Sequence, residues 1–145
     1  MRSCALVPLL LFASCGSPRF ERAWDASAAH AAGAEEPRER WEGGWKSDWN
    51  GHSGGLRGLV RRVDEHHVHI WFLSTYASVL SFEHATLFHL EPAADGAFTL
   101  AGQQDLGALV GGVYRYEGTL DARHFHARYS AENGDHGVFE MGRVE

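Results

Sequence analysis

The sequence predicts an all-β fold, in which about eight antiparallel strands form an up-and-down meander closed into a small barrel. From Trp41 onward, short β-rich or alternating runs are separated by Gly, Asn, Asp and Pro about every 8 to 14 residues. No helical periodicity is sustained through this region. Closing the meander into a barrel would remove the exposed edges of an open sheet.

Turn residues bound each predicted strand. Asn133-Gly134 is the strongest hairpin signal, because both positions accept positive φ. The predicted strands are Gly44–Trp49, Gly55–Val63, His66–Leu73, Val79–Leu90, Ala97–Gln103, Gly112–Thr119, His124–Ser130 and Gly137–Arg143.

The two-residue period of a strand assigns side chains to the two faces of the sheet. The chosen phase leaves charged residues such as Arg57, Glu83 and Arg128 on the outer face, which is its main support. Leu59 and Val63 fit the opposite phase of the second strand nearly as well. The predicted inward residues are Trp45, Ser47, Trp49, Leu56, Gly58, Val60, Val68, Ile70, Phe72, Leu80, Phe82, His84, Thr86, Phe88, Leu90, Phe98, Leu100, Tyr114, Tyr116, Phe125, Ala127, Tyr129, Phe139 and Met141.

The N-terminus has the features of an export signal. Arg2 precedes an apolar run of nine residues, Ala5 to Ala13, which suits a signal peptide and is too short to span a membrane. The following Phe12-Ala13-Ser14-Cys15 resembles a bacterial lipobox, whose cysteine is acylated and becomes the new N-terminus, with Phe12 in place of the usual leucine. We therefore expect a signal peptide over residues 1–14 and lipid attachment at Cys15. Because Cys4 would leave with the signal, the mature chain would have neither a disulfide nor a free thiol.

Residues 15–40 are expected to form the acylated cysteine and a flexible tether. Phe20 and Trp24 are the only large apolar residues that follow Cys15 in this stretch, too few for a core. A helix around residues 23–32 would have no cap partner and no apolar stripe for docking. The β-barrel domain is therefore predicted to span residues 41–145.

The first predicted strand carries a family resemblance. The segment Trp41-Glu42-Gly43-Gly44-Trp45 resembles the G-x-W first strand of calycin-type barrels, the lipocalins and avidins. More broadly, residues 41–143 resemble a group of uncharacterised bacterial secreted proteins that share a W-x-G-x-W-x-S opening, a G-H-x-G-x-L segment and a closing Y-S-x-x-x-D-H-G-x-F-E. Here these segments are Trp41–Ser47, Gly51–Leu56, one residue longer, and Tyr129–Glu140, also lengthened. The resemblance implies a small β-barrel and no established activity.

His84 is the histidine that the alternation places inside the barrel, between Phe82 and Thr86. One interpretation is a neutral core imidazole that is hydrogen-bonded to a tyrosine or to Ser47. The other is a polar anchor in a ligand cavity, since one fixed polar group among aromatic rings orients small molecules. The predicted ligand-binding residues are His84, Tyr114, Tyr116, Tyr129, Trp45 and Ser47.

Three tryptophans, Trp41, Trp45 and Trp49, are spaced by four around the start of the domain. The surrounding glycines favour a plug that closes the barrel. The alternative is an aromatic patch at the rim for a sugar or a lipid.

Two His-x-His pairs, His67/His69 and His124/His126, could each supply two ligands to a metal ion. The predicted phase turns both pairs to solvent, and their strands, the third and the seventh, are not neighbours in a meander. No metal site is therefore predicted.

No catalytic motif stands out in the sequence, and no cofactor is predicted. The chain has no G-x-S-x-G elbow, no H-E-x-x-H and no glycine-rich phosphate loop. The adjacent Asp135 and His136 do not make a triad, and Asp135 is expected to be a turn residue that accepts backbone N–H groups.

The expected function is that of a lipid-anchored, non-enzymatic β-barrel that binds a small apolar ligand or serves as a structural module. The expected location is the bacterial cell envelope, with the lipid anchor as the membrane contact, or, alternatively, the secreted soluble fraction. The formal charge of -6 argues against a nucleic-acid partner. A protein-interaction or inhibitor domain that uses the barrel rim or outer face is the alternative, and an envelope enzyme is the third.

Overall fold

The computed structural model describes residues 17–28 and 38–145. Eight antiparallel strands follow one another around a closed barrel, in which β1 pairs with both β2 and β8. The predicted meander and its closure are therefore confirmed. The predicted signal peptide and the lipid attachment at Cys15 lie outside the described residues. The elements are α1 (Pro18–Ala28), β1 (Glu39–Ser47), β2 (Ser53–Arg62), β3 (His67–Tyr76), β4 (Leu80–Pro92), β5 (Phe98–Asp105), β6 (Val113–Leu120), β7 (His124–Ala131) and β8 (His136–Arg143), with short 3-10 turns at Ala94–Gly96 and Ala108–Val110.

Strand β1 differs most from its predicted bounds, because it begins at Glu39 rather than at Gly44. Trp41 is a buried core residue of this strand and lies opposite Gly58 and Arg143. The predicted inward orientation of Trp49 is wrong. Strand β1 ends at Ser47, so Trp49 lies in the following turn and is 55% exposed.

Aromatic side chains fill the middle of the barrel. Phe72 from β3 contacts the rings of Phe88, Tyr116, Phe125 and Phe139, with centroids 5.5 to 6.5 Å apart. All five residues were predicted to point inward, and all are buried. The alternation of apolar and polar residues therefore assigned the faces of these strands correctly.

Glycines allow the strands to bend around this small core. A Cβ atom on Gly137 would overlap the carbonyl oxygen of Lys46, and one on Gly118 would overlap that of His126. Neighbouring strands therefore approach each other at these two positions more closely than any side chain permits. Glycine at bends of this kind is what closing a sheet into a narrow barrel requires.

The described part of the expected tether forms a helix that packs on the outside of the barrel. Ser17 precedes Pro18, the first helical residue, and the Phe20 N–H donates to the Ser17 hydroxyl at 3.4 Å. Phe20 and Trp24, one helical turn apart, are buried against Leu59 and other outward residues of the barrel.

Docking of α1 explains the ambiguous phase of the second strand. Leu59 and Leu73 point out of the barrel and are nevertheless buried, because the helix covers them together with Trp71. The expectation that a helix here would lack an apolar stripe differs from the structure. Phe20 and Trp24 form such a stripe, with ring centroids 5.9 Å apart.

Ionic contacts support the same helix. The Arg57 guanidinium pairs with Glu21 and lies over the Phe20 and Trp24 rings, 5.4 and 5.1 Å from their centroids. Within residues 17–28 and 38–145, no helix is long and apolar enough to cross a membrane.

Candidate functional site

The barrel has two chemically different ends. The end where β1, β3, β5 and β7 begin carries Arg62 and Arg143 and is called the arginine end. The opposite end, where the same strands finish, carries Tyr114 and Tyr129 and is called the tyrosine end. Between the two ends the interior is filled by the aromatic core.

The six predicted ligand-binding residues lie together toward the tyrosine end. Tyr114 stacks on Tyr116 and on Tyr129, with centroids 6.4 and 5.8 Å apart. The Trp45 indole N–H donates to the backbone carbonyl of Thr75 at 2.9 Å. The structure brings these residues together, and their role in ligand binding stays a prediction.

His84 is buried at the inner side of this group. Its Nε2 lies 3.2 Å from the Tyr116 hydroxyl, and its ring stacks on Phe72 with centroids 5.0 Å apart. This geometry matches the interpretation of His84 as a core imidazole hydrogen-bonded to a tyrosine. Burial lowers the pKa of His84 to about 4, and it raises the pKa of Tyr116 well above its usual range.

Two buried polar atoms on the inward face of β4 are unsatisfied. Neither His84 Nδ1 nor Thr86 Oγ1 has a hydrogen-bond partner among the residues that the structure describes. Groups of this kind usually bind a water molecule or another polar group.

Asp135 joins two turns at the rim of the tyrosine end. Its Oδ1 accepts hydrogen bonds from the Ser47 hydroxyl at 2.6 Å and from the Tyr129 hydroxyl at 3.2 Å. Ser47 in turn accepts from the backbone N–H groups of Trp49 and Asn50. Asp135 directly follows the turn at residues 132–134, close to where it was expected, but its Oδ1 accepts from side-chain hydroxyls rather than from backbone N–H groups. Burial, and secondly the charge of Asp135, raises the pKa of Tyr129.

The arginine end contains a half-open pocket of about 540 Å³. This volume lies in the usual range for small-molecule sites, roughly 300–1,000 Å³. The inner lining is apolar and the rim is charged. The apolar lining consists of Trp41, Val60, Val68, Phe98 and Leu120.

Two arginines give the rim of this pocket its hydrogen-bond donors. Arg62 lies over the Phe98 ring at 4.7 Å and donates to the backbone carbonyls of Asp64 and Glu65 through Nε and Nη2. Its Nη1 has no partner within the described part of the chain. Arg143 pairs with Glu39 at 3.1 Å, and both side chains are nearly half exposed.

Charged groups of both signs line the pocket. Arg62 and Arg143 continue the inward phase of β2 and β8 and share the lining with two carboxylates, Glu39 and Asp121, whereas Arg61 has the outward phase of Leu59. An apolar site with two guanidinium groups at its rim suits an amphipathic anion.

Sequence reasoning missed this pocket, although it assigned several of its walls. Val60, Val68 and Phe98 were expected inside the barrel, but as parts of a filled core. Arg62 is the last residue of β2, and Arg143 is the last residue of β8. Each lies two residues after an inward residue, Val60 or Met141, and therefore has the same inward phase. Extending the inward phase to the last residue of β2 and β8 would have found them.

The His-x-His pairs point outward, as the predicted phase requires. His67 Nδ1 lies 2.9 Å from an Asp64 oxygen, and His126 Nε2 lies 3.3 Å from a Glu140 oxygen. In residues 17–28 and 38–145, no three His, Cys, Asp or Glu side chains group in a way that could hold a metal ion.

Comparisons with known proteins identify no family or relative, so the proposed function rests on the geometry of the site. No protein-family model matches the chain, and neither a curated protein nor a solved structure matches it.

Proposed function

We propose that this protein is a calycin-like binding protein, and not an enzyme, that holds a small amphipathic anion in the arginine-end pocket. The ligand would place its apolar part against the inner lining and its anionic group beside Arg62 and Arg143. The observation that carries the proposal is the apolar pocket with two guanidinium groups at its rim.

The rim geometry supports a carboxylate or a similar anionic group. Arg62 keeps one guanidinium nitrogen without a described partner, while its other two nitrogens fix the group in place. Arg143 pairs with one carboxylate oxygen of Glu39, and the second oxygen of Glu39 accepts from the Trp41 indole N–H at 3.2 Å. A ligand anion would therefore meet a fixed donor in Arg62 and a partly neutralised one in Arg143.

A binding measurement with decanoate and decanol tests the proposal. We expect wild-type protein to bind decanoate more tightly than decanol. Arg62→Gln should weaken decanoate binding by about tenfold, because a charge-assisted hydrogen bond is lost, and should leave decanol binding unchanged. Calorimetric titration measures both affinities.

Arg115→Gln is the matched control, because Arg115 is exposed on the outside of β6. It removes the same charge away from the pocket. If Arg62→Gln and Arg115→Gln weakened decanoate binding equally, the effect would be one of net charge and the proposed site would be rejected. Failure of wild-type protein to bind either probe would reject the carrier function.

We also propose that the domain is exported and held at the bacterial cell envelope by a lipid on Cys15. The apolar run from Ala5 to Ala13 and the lipobox-like residues that follow it support this location. Radioactive palmitate should label the wild-type chain in a bacterial host, and Cys15→Ser should abolish the label. Cys4→Ser is the matched control and should retain it. An unlabelled wild-type chain would refute the anchor.

A further inference from the structure

The barrel wall is incomplete between β4 and β5. Strand β4 pairs with β3 from Leu80 to His89, but with β5 only from Phe88 to Pro92. Strand β5 continues to Asp105, paired with β6 along its whole length. Among the described residues, the segment Leu80–Thr86 of β4 therefore has a neighbouring strand on one side only, and we call this segment the open edge.

The orientation of the backbone groups along the open edge follows from the ladder. The Leu90 N–H donates to His66, on the β3 side, and Ala93 donates to Ala97, across the β4–β5 turn. Because successive residues of a strand alternate in direction, even-numbered residues of β4 face β3 and odd-numbered residues face the opening. The groups that face the opening are the N–H and C=O groups of Ser81, Glu83 and Ala85, whereas the Leu87 carbonyl lies against Gly102 of β5.

An edge of this kind is a template for another strand. Natural edge strands are usually protected by lysine, proline, bulges or a covering element. The open edge contains neither lysine nor proline, and its register with β3 has no bulge. Leu80 is 62% exposed, Leu87 52% and Phe82 37%, so apolar surface lies beside the unpaired backbone.

We propose that the open edge is a docking site for an extended peptide, which would add a strand to β4. Only an extended backbone repeats its donors and acceptors at the spacing that Ser81, Glu83 and Ala85 present. The apolar side chains beside the edge favour valine or similar residues in the peptide. The carboxylates of Glu83 and Asp105 and the acidity of the chain favour lysine or arginine at the outward positions.

This site is separate from the arginine-end pocket. The open edge runs from the middle of the barrel toward the tyrosine end, where β4 begins, whereas the pocket is lined by residues at the far ends of β2 and β8. A partner could therefore dock there whether or not the pocket holds a ligand.

Hydrogen exchange of single amides tests the edge without any ligand. We expect the amides of Glu83 and Ala85 to exchange rapidly, and those of His84 and Thr86, which face β3, to be protected. His89 is the internal control, because its N–H faces β5 where the ladder is formed. Equal protection of Ala85 and His89 in a monomer would show that the edge is closed and would overturn the proposal.

Peptide binding tests the proposed occupant. The probe is a short fluorescent peptide that alternates valine with lysine, and its control is the same peptide N-methylated at its central residues. Both carry the same side chains and charge, but only the first can donate backbone hydrogen bonds. We expect saturable binding of the first peptide and at least about tenfold weaker binding of the second, because several hydrogen bonds are lost. Equal affinities, or no binding of the first peptide, would overturn the proposal.

Ala85→Pro tests the edge from the side of the protein. Proline removes an N–H that faces the opening, so the β3–β4 ladder should survive while peptide affinity falls at least about tenfold. Ala94→Pro is the matched control in the turn after β4. There Ala93, with φ -123° and ψ -173°, already has the extended backbone required before proline.

Circular dichroism would check that both variants fold. If Ala85→Pro does not fold, the comparison of the plain and the N-methylated peptide on wild-type protein still tests the proposal. Unchanged peptide affinity in a folded Ala85→Pro variant would overturn the site. Sedimentation tests whether the open edge binds a second copy of the chain instead. A dimer whose formation protects the Ala85 amide would show that the occupant is a second copy and not a peptide.

Discussion

Replacing Phe72 by alanine is expected to destabilise the barrel by about 4 kcal/mol, within the range of roughly 3–5 kcal/mol for a buried phenylalanine. Phe72 is fully buried and lies at the centre of the interior. Its ring contacts one ring each from β6, β7 and β8, and two from β4. The loss therefore combines apolar burial, a central cavity and several aromatic contacts.

The cavity cannot collapse easily, because the surrounding rings are held by different strands of a closed sheet. A small domain is typically stable by about 5–15 kcal/mol, so the variant would lie close to the limit of folding. Urea denaturation of both proteins measures the effect as a shift of the midpoint at constant slope.

Phe82→Ala is the matched control, because Phe82 also points inward but is 37% exposed at the tyrosine end. Its ring contacts that of His84 at 5.8 Å, and we expect its loss to cost about 1 kcal/mol. Phe72→Leu should fall between the two. If Phe72→Ala and Phe82→Ala were equally destabilising, the aromatic core would not be the main source of stability.

Local periodicity was sufficient to predict the strands because each face of this sheet meets a different environment. Val68, Ile70 and Phe72 alternate with His67, His69 and Trp71. Shifting this strand by one residue would turn the first three side chains out of the barrel. The start of β1 was less visible. Gly43, just before the predicted start, resembles a turn residue in sequence, whereas in the barrel it permits close packing of β1 against β8.

Contacts between distant segments account for what the sequence did not predict. Phe20 and Trp24 appear too few for a core until Leu59 and Leu73, far along the chain, are placed beneath them. Outward-facing Trp71, Leu59 and Leu73 were the available signal, because three large apolar residues on a solvent face imply a covering element.

The two proposed sites were missed for the same reason. The arginine-end pocket draws its walls from the ends of several strands, and no local motif marks it. The open edge depends on where the β4–β5 ladder stops. One clue was present, since the predicted fourth strand, Val79–Leu90, is longer than the predicted fifth, Ala97–Gln103. A long strand beside a short one must lack a partner over part of its length.

Acidification is expected to destabilise the barrel through His84. The folded state holds the pKa of His84 near 4, because burial disfavours the imidazolium, whereas the unfolded chain has the ordinary value of 6.5. The unfolded state therefore binds more protons below pH 6.5. The free energy of unfolding should fall as the pH drops from 6.5 to 4, by about 3 kcal/mol for this group alone.

His84→Phe separates this contribution from those of the other titrating groups. The ring is retained between Phe72 and Tyr116, but it no longer binds a proton. All other histidines and carboxylates are common to the two proteins, so their contributions cancel when the pH dependences are subtracted. We expect the stability lost between pH 7 and pH 4 to be smaller in the variant by about 3 kcal/mol.

Urea denaturation at several pH values measures this difference, and NMR titration of the imidazole measures the pKa of His84 directly. Tyr116→Phe provides the second comparison, since it removes the hydrogen bond of 3.2 Å to His84 Nε2 and leaves the ring buried. Because burial is the cause of the low pKa, Tyr116→Phe should still show the loss of stability on acidification. Parallel pH profiles for wild type and His84→Phe, or an imidazole that titrates near pH 6.5, would show that His84 is solvated rather than buried in the core.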